Sequence, residues 1–404
     1  MKYIVMLGDG MADRPAPELD GKTPLELAKK PNMDFLAAHG MVGICRTVPE
    51  GMPPGSDTAN LSVMGYDPAV CYSGRSPLEA VSMGIDLQPD DVTFRCNLVT
   101  LSDEENYEDC TMVDYCAGDI STEEAAELVH FLDAQLGTEE RKLYAGISYR
   151  HCLVMHHAQT GSDCTPPHDI SLKPIKEYLP KGRYGEQLLA LMKRSRELLK
   201  DHPVNQKRVK EGKNPATSCW FWGEGTKPAL ESFRKKFGVR GGVISAVDLI
   251  KGIGICAGLK SVDVPGATGY IDTNFRGKAE AAWGLLQDGC DMVYIHVEAP
   301  DECGHRHEPE NKVKSIELID REILGYLIPK LQESGEPFSI LLMPDHPTPL
   351  EIRTHSGDPV PFVLYRSNLE LLPHAPAYTE KLAEQTGVFV PQGHLMMAEL
   401  LEKS

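Results

Sequence analysis

Met1-Lys2-Tyr3-Ile4-Val5-Met6-Leu7-Gly8-Asp9-Gly10 opens the 404-residue chain. Residues 3–7 form an apolar run too short for a signal peptide or a membrane span, and of the right length for a strand buried on both faces. Gly8-Asp9-Gly10 ends the run with turn chemistry. Asp9 therefore stands at the carboxyl end of a buried strand, where open α/β sheets bind their ligands. The pattern recurs late in the chain. Residues 291–297 read as a strand that releases Asp301 on the following loop, and residues 339–343 as another that releases Asp345-His346. Between them Val313, Ile316, Ile319, Ile323 and Leu327 recur at helical spacing, predicting a long helix over 309–331. Strand, helix, strand with polar residues at both strand ends predicts a mostly parallel central sheet with right-handed crossovers.

The rest of the chain is organised around this frame. Thr23-Pro24-Leu25-Glu26 carries a capping-box start with proline at the first helical position, and a short helix is expected to end at Gly40. The middle differs, with acidic stretches such as Asp103-Glu104-Glu105, a helix over 122–136 and a strand-like segment over 151–156. It is expected to form an inserted α+β domain over 86–180, between core segments 1–85 and 181–404. Residues 201–214 are polar and expected to form a loop. The net charge of −18 argues against nucleic-acid and anionic-membrane surfaces, yet leaves room for an anionic substrate in a local basic pocket. Eleven cysteines without a C-x-x-C pair support neither a zinc ribbon nor a disulfide framework, and the expected location is the cytoplasm. Gly252-Ile253-Gly254-Ile255-Cys256-Ala257 fits G-x-G-x-x-A, but it follows a predicted helix instead of a strand, so no dinucleotide site is expected. No P-loop is present.

Asp9, Asp301, His305, Asp345, His346 and His355 are ligand types for divalent cations, and five of the six fall within about sixty positions. Asp345 and His346 are adjacent, a placement that serves one purpose only if they face two neighbouring cations. Ser56, in Pro53-Pro54-Gly55-Ser56-Asp57-Thr58, precedes a predicted helix over 57–64. By itself it reads as a helix N-cap. Beside a cation cluster the same hydroxyl becomes a nucleophile, since serine needs an adjacent base or metal for that role.

Pro54-Gly55-Ser56-Asp57-Thr58-Ala59-Asn60-Leu61, then Met64-Gly65-Tyr66-Asp67-Pro68, resemble the cofactor-independent phosphoglycerate mutases, in the archaeal-type branch of that family. So do Gly21-Lys22-Thr23-Pro24-Leu25-Glu26, Gly74-Arg75-Ser76-Pro77-Leu78-Glu79-Ala80 and Pro300-Asp301-Glu302-Cys303-Gly304-His305, and the resemblance runs nearly end to end. It implies an alkaline-phosphatase-like three-layer α/β core, with the insertion capping the substrate. It also implies two divalent ions (manganese, zinc or magnesium), one held by Asp301, His305 and His355, the other by Asp9, Ser56, Asp345 and His346. Arg75, His168, Asp169, Lys251 and Arg276 lie in segments similar to the family's, and Arg150 and His151 complete the candidate substrate-binding set. His168-Asp169 would exchange protons with the glycerate hydroxyls, with Asp169 as the catalytic member. A phosphate and a carboxylate call for arginine forks.

The implied reaction is interconversion of 3-phosphoglycerate and 2-phosphoglycerate through a phosphoserine, with neither bisphosphoglycerate nor a nucleotide as cofactor. A homoserine kinase-like transfer, a phosphomonoesterase and a non-catalytic metal sensor are the alternatives. The expected partner is a small anionic phosphorylated substrate, with no nucleic acid and no membrane.

Overall fold

A computed structural model describes residues 1–402 and divides the chain into two compact units, residues 1–72 with 229 onward, and Ser73–Pro228. The first unit is built on an eight-stranded sheet. In chain order its strands are β1 (Lys2–Gly8), β2 (Met41–Cys45), β3 (Gly241–Ile244), β4 (Lys260–Val262), β5 (Met292–Val297), β6 (Phe338–Met343), β7 (Val360–Arg366) and β8 (Phe389–Val390), and they lie in the order β4-β3-β5-β1-β6-β7-β2-β8. Strands β4 through β6 are mutually parallel, and β7 alone runs against its neighbours. The expected mostly parallel sheet is present.

Both faces of β1 are sealed: Ile4, Val5, Met6 and Leu7 are all fully buried. Ile4 and Met6 share one core with helices Pro31–His39 and Phe275–Gln287 and with the 309–333 segment. Such double-sided burial explains why the strand reads as an unbroken apolar run without alternation. β1 lies between β5 and β6, and its end is the point where connections leave in both directions.

Several expectations need correction. Asp301 lies within the helix Ala299–His305 and not on a loop, so Asp301 and His305 stand one turn apart on one helix face. The helix expected over 309–331 is three successive stretches, Pro309–Leu318, a π-helical Ile319–Leu324, and Gly325–Glu333. Gly252 and Gly254 are inside the helix Asp248–Cys256, and a Cβ on Gly254 would meet Val243 Cγ1 at 2.5 Å. Gly254 thus serves close helix–strand packing.

The second unit is wider than the expected 86–180. Its antiparallel sheet centres on the strand Val92–Leu101, flanked by Arg150–Met155 on one side and Ser218–Thr226 on the other. That last pairing, closed across more than a hundred residues, draws the chain beyond 180 into the same unit. Thr122–Leu136 and Gly185–Leu199 supply helices whose apolar sides join the unit's own core. The expected loop at 201–214 contains a helix, Pro203–Lys210. Its buried face includes Arg208, held by Glu124, Ala117 O and Asn214 O, so no apolar periodicity announces it. Among the described residues all eleven cysteines are free, and no helix is long and apolar enough to cross a membrane.

Candidate active site

The ends of β1, β5 and β6 gather the predicted ligands of the first unit. Asp9 follows β1, its N–H bonded to Val297 O at 2.9 Å, and Asp345-His346 follow β6. Gly10 makes the turn possible. It has φ +60°, and a Cβ there would meet Thr348 Oγ1 at 2.5 Å and Asp301 Cα and Oδ1 at 2.7 Å. Only glycine fits this left-handed backbone pressed against another chain segment. Its N–H donates to Asp345 Oδ1 at 3.1 Å, and His346 N–H donates to the same oxygen at 2.8 Å.

Two donor groups result. In one, ligand atoms of Asp9, Asp345 and His346 all lie within 4.8 Å of one another; in the other, those of Asp301, His346 and His355 do. His305 joins the second group, with Nε2 3.2 Å from Asp301 Oδ2 and 3.0 Å from His355 Nε2, while its Nδ1–H donates to Arg353 O at 2.9 Å. Tying the far ring nitrogen to a carbonyl is how ligating imidazoles are usually oriented. The adjacent Asp345 and His346 converge, Oδ2 to Nε2 at 3.4 Å, with both side chains fully buried.

Ser56 begins the helix Ser56–Val63 and is not its N-cap. Gly55 holds that position, and Ser56 Oγ bonds to His346 Nε2 at 3.1 Å instead of capping a backbone N–H. The N-cap reading therefore fails, and the hydroxyl is aimed at the ligand cluster. Asn60, one turn on, donates from Nδ2 to Ser56 O and to Asp345 Oδ2, both at 2.8 Å.

The electrostatics ask for positive charge. Burial, then the neighbouring Asp345 and Asp301, hold the Asp9 carboxyl well above the usual carboxylate range. Burial also pushes Asp301 up, but the His305 and His355 imidazoles outweigh it and hold that carboxyl well below its ordinary value. The hydrogen bond to Asp301 raises His305 to about 9, and burial lowers His346. Asp9 Oδ1 is buried without a hydrogen-bond partner. A buried carboxylate oxygen that makes no hydrogen bond, 3.5 Å from His346 Nε2 and beside two further carboxylates, is the donor chemistry of a divalent cation site, so the residues fit the implied ions.

The other candidates are distributed. In the second unit Arg75 and Arg95 both pair with Glu79, at 2.8 and 2.9 Å, and Arg95 lies 4.1 Å over the Trp222 ring. Burial pushes Glu79 up, but Arg95, then Arg75, with a smaller share from Arg150, bring its carboxyl below the usual value. His168 packs edge-on to Trp222 at 5.2 Å, is lowered by burial, and has its Nε2 3.7 Å from Asp169 Oδ1. Asp169 is exposed. His151 is buried, accepts at Nδ1 from Gly146 N–H at 3.0 Å, and is pushed down to about 3 by burial and Arg150. In the first unit Lys251 Nζ pairs with Asp263 at 2.7 Å, and Arg276 pairs with Glu322 at 2.9 Å and stacks over Tyr326. Arg276 is thus engaged by Glu322 and Tyr326. Arg95, His296 and Asn60 escaped the sequence reading. A charged or titratable residue inside an otherwise apolar strand was the signal available for the first two.

Fold and site together define an α/β protein that sets one serine hydroxyl beside buried carboxylates and imidazoles, the arrangement needed for covalent group transfer. Residues 37–205 match the family profile described as 2,3-bisphosphoglycerate-independent phosphoglycerate mutase. A protein so named from Methanosarcina barkeri is 51% identical over 386 residues, covering 95% of each chain. A probable 2,3-bisphosphoglycerate-independent phosphoglycerate mutase from Geobacter sulfurreducens is 50% identical over 403 residues, covering 100% of each. Among solved structures, the cofactor-independent phosphoglycerate mutase from Thermoplasma acidophilum superposes with a TM-score of 0.68 at 28% identity, over 100% of this chain and 99% of the other. A protein from Pyrococcus horikoshii gives a TM-score of 0.83 at 32% identity, over 100% and 98%. The chain belongs to the 2,3-bisphosphoglycerate-independent phosphoglycerate mutases.

Proposed function

We propose that the chain interconverts 3-phosphoglycerate and 2-phosphoglycerate, with Ser56 as the nucleophile. The observation that carries this reading is the Ser56 Oγ–His346 Nε2 contact of 3.1 Å at the edge of a carboxylate cluster that includes the unpartnered Asp9 Oδ1. Ser56 Oγ gives up its hydroxyl proton and attacks the substrate phosphorus, the bond from phosphorus to the C3 oxygen breaks, and that oxygen takes up a proton. The other glycerate hydroxyl then loses its proton and attacks the phosphoserine, and as the Oγ–phosphorus bond breaks Oγ takes up a proton again. Asp301, His305 and His355 would hold one divalent ion, and Asp9, Ser56, Asp345 and His346 the other. When bound, manganese, zinc or magnesium lowers the serine hydroxyl's pKa and offsets charge on the transferring oxygens. His168 and Asp169 serve as the acid–base pair. The Arg75–Glu79–Arg95 group, with Arg150, offers guanidinium forks to the substrate's anionic groups.

An enolase-coupled assay with 3-phosphoglycerate, manganese and no bisphosphoglycerate tests the reading. Wild-type turnover that falls at least ~10³-fold in Ser56→Ala is expected, as for loss of a covalent nucleophile. Normal turnover in Ser56→Ala, with the protein folded, would overturn it.

A further inference from the structure

β5 contributes none of the seven proposed ligands, yet two of its side chains reach them. Tyr294 and His296 alternate onto one face of the strand, and both are fully buried. Tyr294 O–H donates to Asn60 Oδ1 at 2.6 Å, which turns the amide so that its Nδ2 donates to Asp345 Oδ2 and Ser56 O. His296 Nε2 lies 2.9 Å from Asp9 Oδ2, and Ser245 Oγ lies 3.0 Å from its Nδ1. With Asp9 ionised, as a cation ligand must be, its oxygens only accept, so Nε2 carries the proton and Nδ1 receives the Ser245 hydroxyl. Ser245 is in turn fixed by Val247 N–H at 2.9 Å, and the His296 carbonyl accepts from Lys278 Nζ at 3.0 Å. The tautomer and the ring plane of His296 are thus both set from behind. The consequence is at Asp9: Oδ2 is taken by His296, and Oδ1 is left facing the cluster without a hydrogen-bond partner.

We propose that Tyr294 and His296 are positioning residues, which hold Asp345 (through Asn60) and Asp9 in the rotamers that grip one divalent cation between them. Leucine and phenylalanine would fill the same space without needing partners. What the polar groups add is orientation of the ligands, an effect that outer partners exert on metal sites. The inference rests on the ligand assignment above, and calorimetry separates the two. Full-length protein, stripped by chelation, is titrated with Mn²⁺ alone. Wild type should take up two ions per chain; uptake of none would sink the ligand assignment itself. His296→Leu should weaken one of the two sites by ~10–100-fold and Tyr294→Phe by ~10-fold, the range for outer-partner loss. The other site should keep its affinity. His296→Gln, whose amide N–H reaches toward Asp9, should recover part of the loss. A purely structural role would lower the melting temperature of the metal-free protein and leave Mn²⁺ affinity untouched. Wild-type affinity at both sites in folded His296→Leu and Tyr294→Phe overturns the proposal. If His296→Leu does not fold, Tyr294→Phe and Ser245→Ala decide it in the same way.

Discussion

Replacing Gly10 by alanine should damage the site more than it damages the fold, and the structure allows the two effects to be separated. The residue sits at φ +60°, where an L side chain costs ~1–2 kcal/mol. The added Cβ would also stand 2.5 Å from Thr348 Oγ1 and 2.7 Å from Asp301 Cα, against ordinary contact at 3.4 Å, an overlap of 0.9 and 0.7 Å respectively. A backbone atom of a buried helix cannot swing aside, so overpacking adds ~1–3 kcal/mol. The sum is ~2–5 kcal/mol. Relief by moving Asp301 displaces a proposed ligand, and a shift approaching 1 Å at reacting groups costs on the order of 10²-fold in rate. Gly21 is the control, since it has φ +74° but nothing within 4 Å of its would-be Cβ, so Gly21→Ala carries the conformational cost alone. Chemical denaturation of both variants should show the larger midpoint shift for Gly10→Ala. Mn²⁺ titration and the enolase-coupled assay should show loss of affinity and turnover for that variant only. Equal shifts together with wild-type Mn²⁺ affinity in Gly10→Ala would refute the claim that close approach at Gly10 places Asp301.

Lys312 and Asp13 form a fully buried ion pair at 2.7 Å, and Lys312 also donates to Thr348 O at 2.7 Å, so Lys312→Met should cost ~3–5 kcal/mol in denaturation. Most of that should return in the double variant with Asp13→Leu, because the penalty is a stranded charge and not lost packing. Glu380 accepts from Thr23 Oγ1 and Asp13 N–H and is pushed up to about 7 by burial, from an ordinary 4.5. The folded state holds this proton more tightly than the unfolded chain. Its stabilising contribution is therefore full below pH 4.5 and lost, by ~3 kcal/mol, as pH rises through 7. Glu380→Gln should flatten that window in unfolding measured across pH. Arg95→Lys removes a planar fork stacked 4.1 Å over Trp222 and should raise the KM for 3-phosphoglycerate ~10-fold. An unchanged KM would remove Arg95 from substrate binding.

The parts of this molecule that the sequence discloses are those written in local pattern. β1 is readable because five apolar residues end abruptly at Gly8-Asp9-Gly10, and the same device recurs at β5 and β6, so the proposed ligands are found by looking just past buried strands. Asp301 reads as a loop residue because a seven-residue helix with proline at its start and no side-chain cap offers no periodicity. The second unit's extension past residue 180 is hidden for a different reason. Ser218–Thr226 and Val92–Leu101 are each recognisable as apolar strands, but their pairing is a long-range fact that neither strand encodes alone. The supporting residues hide most completely. In a strand buried on both faces there is no polar side to mark, and so His296, Tyr294 and Arg95 sit inside runs that register only as core. Yet a buried imidazole or guanidinium is costly unless it is partnered. An ionisable residue within a doubly buried strand therefore implies a specific partner across the sheet, and in β5 the partners lead to Asp9 and Asp345. Read this way, the site extends one layer deeper than its ligand motifs, into the strand that carries none of them.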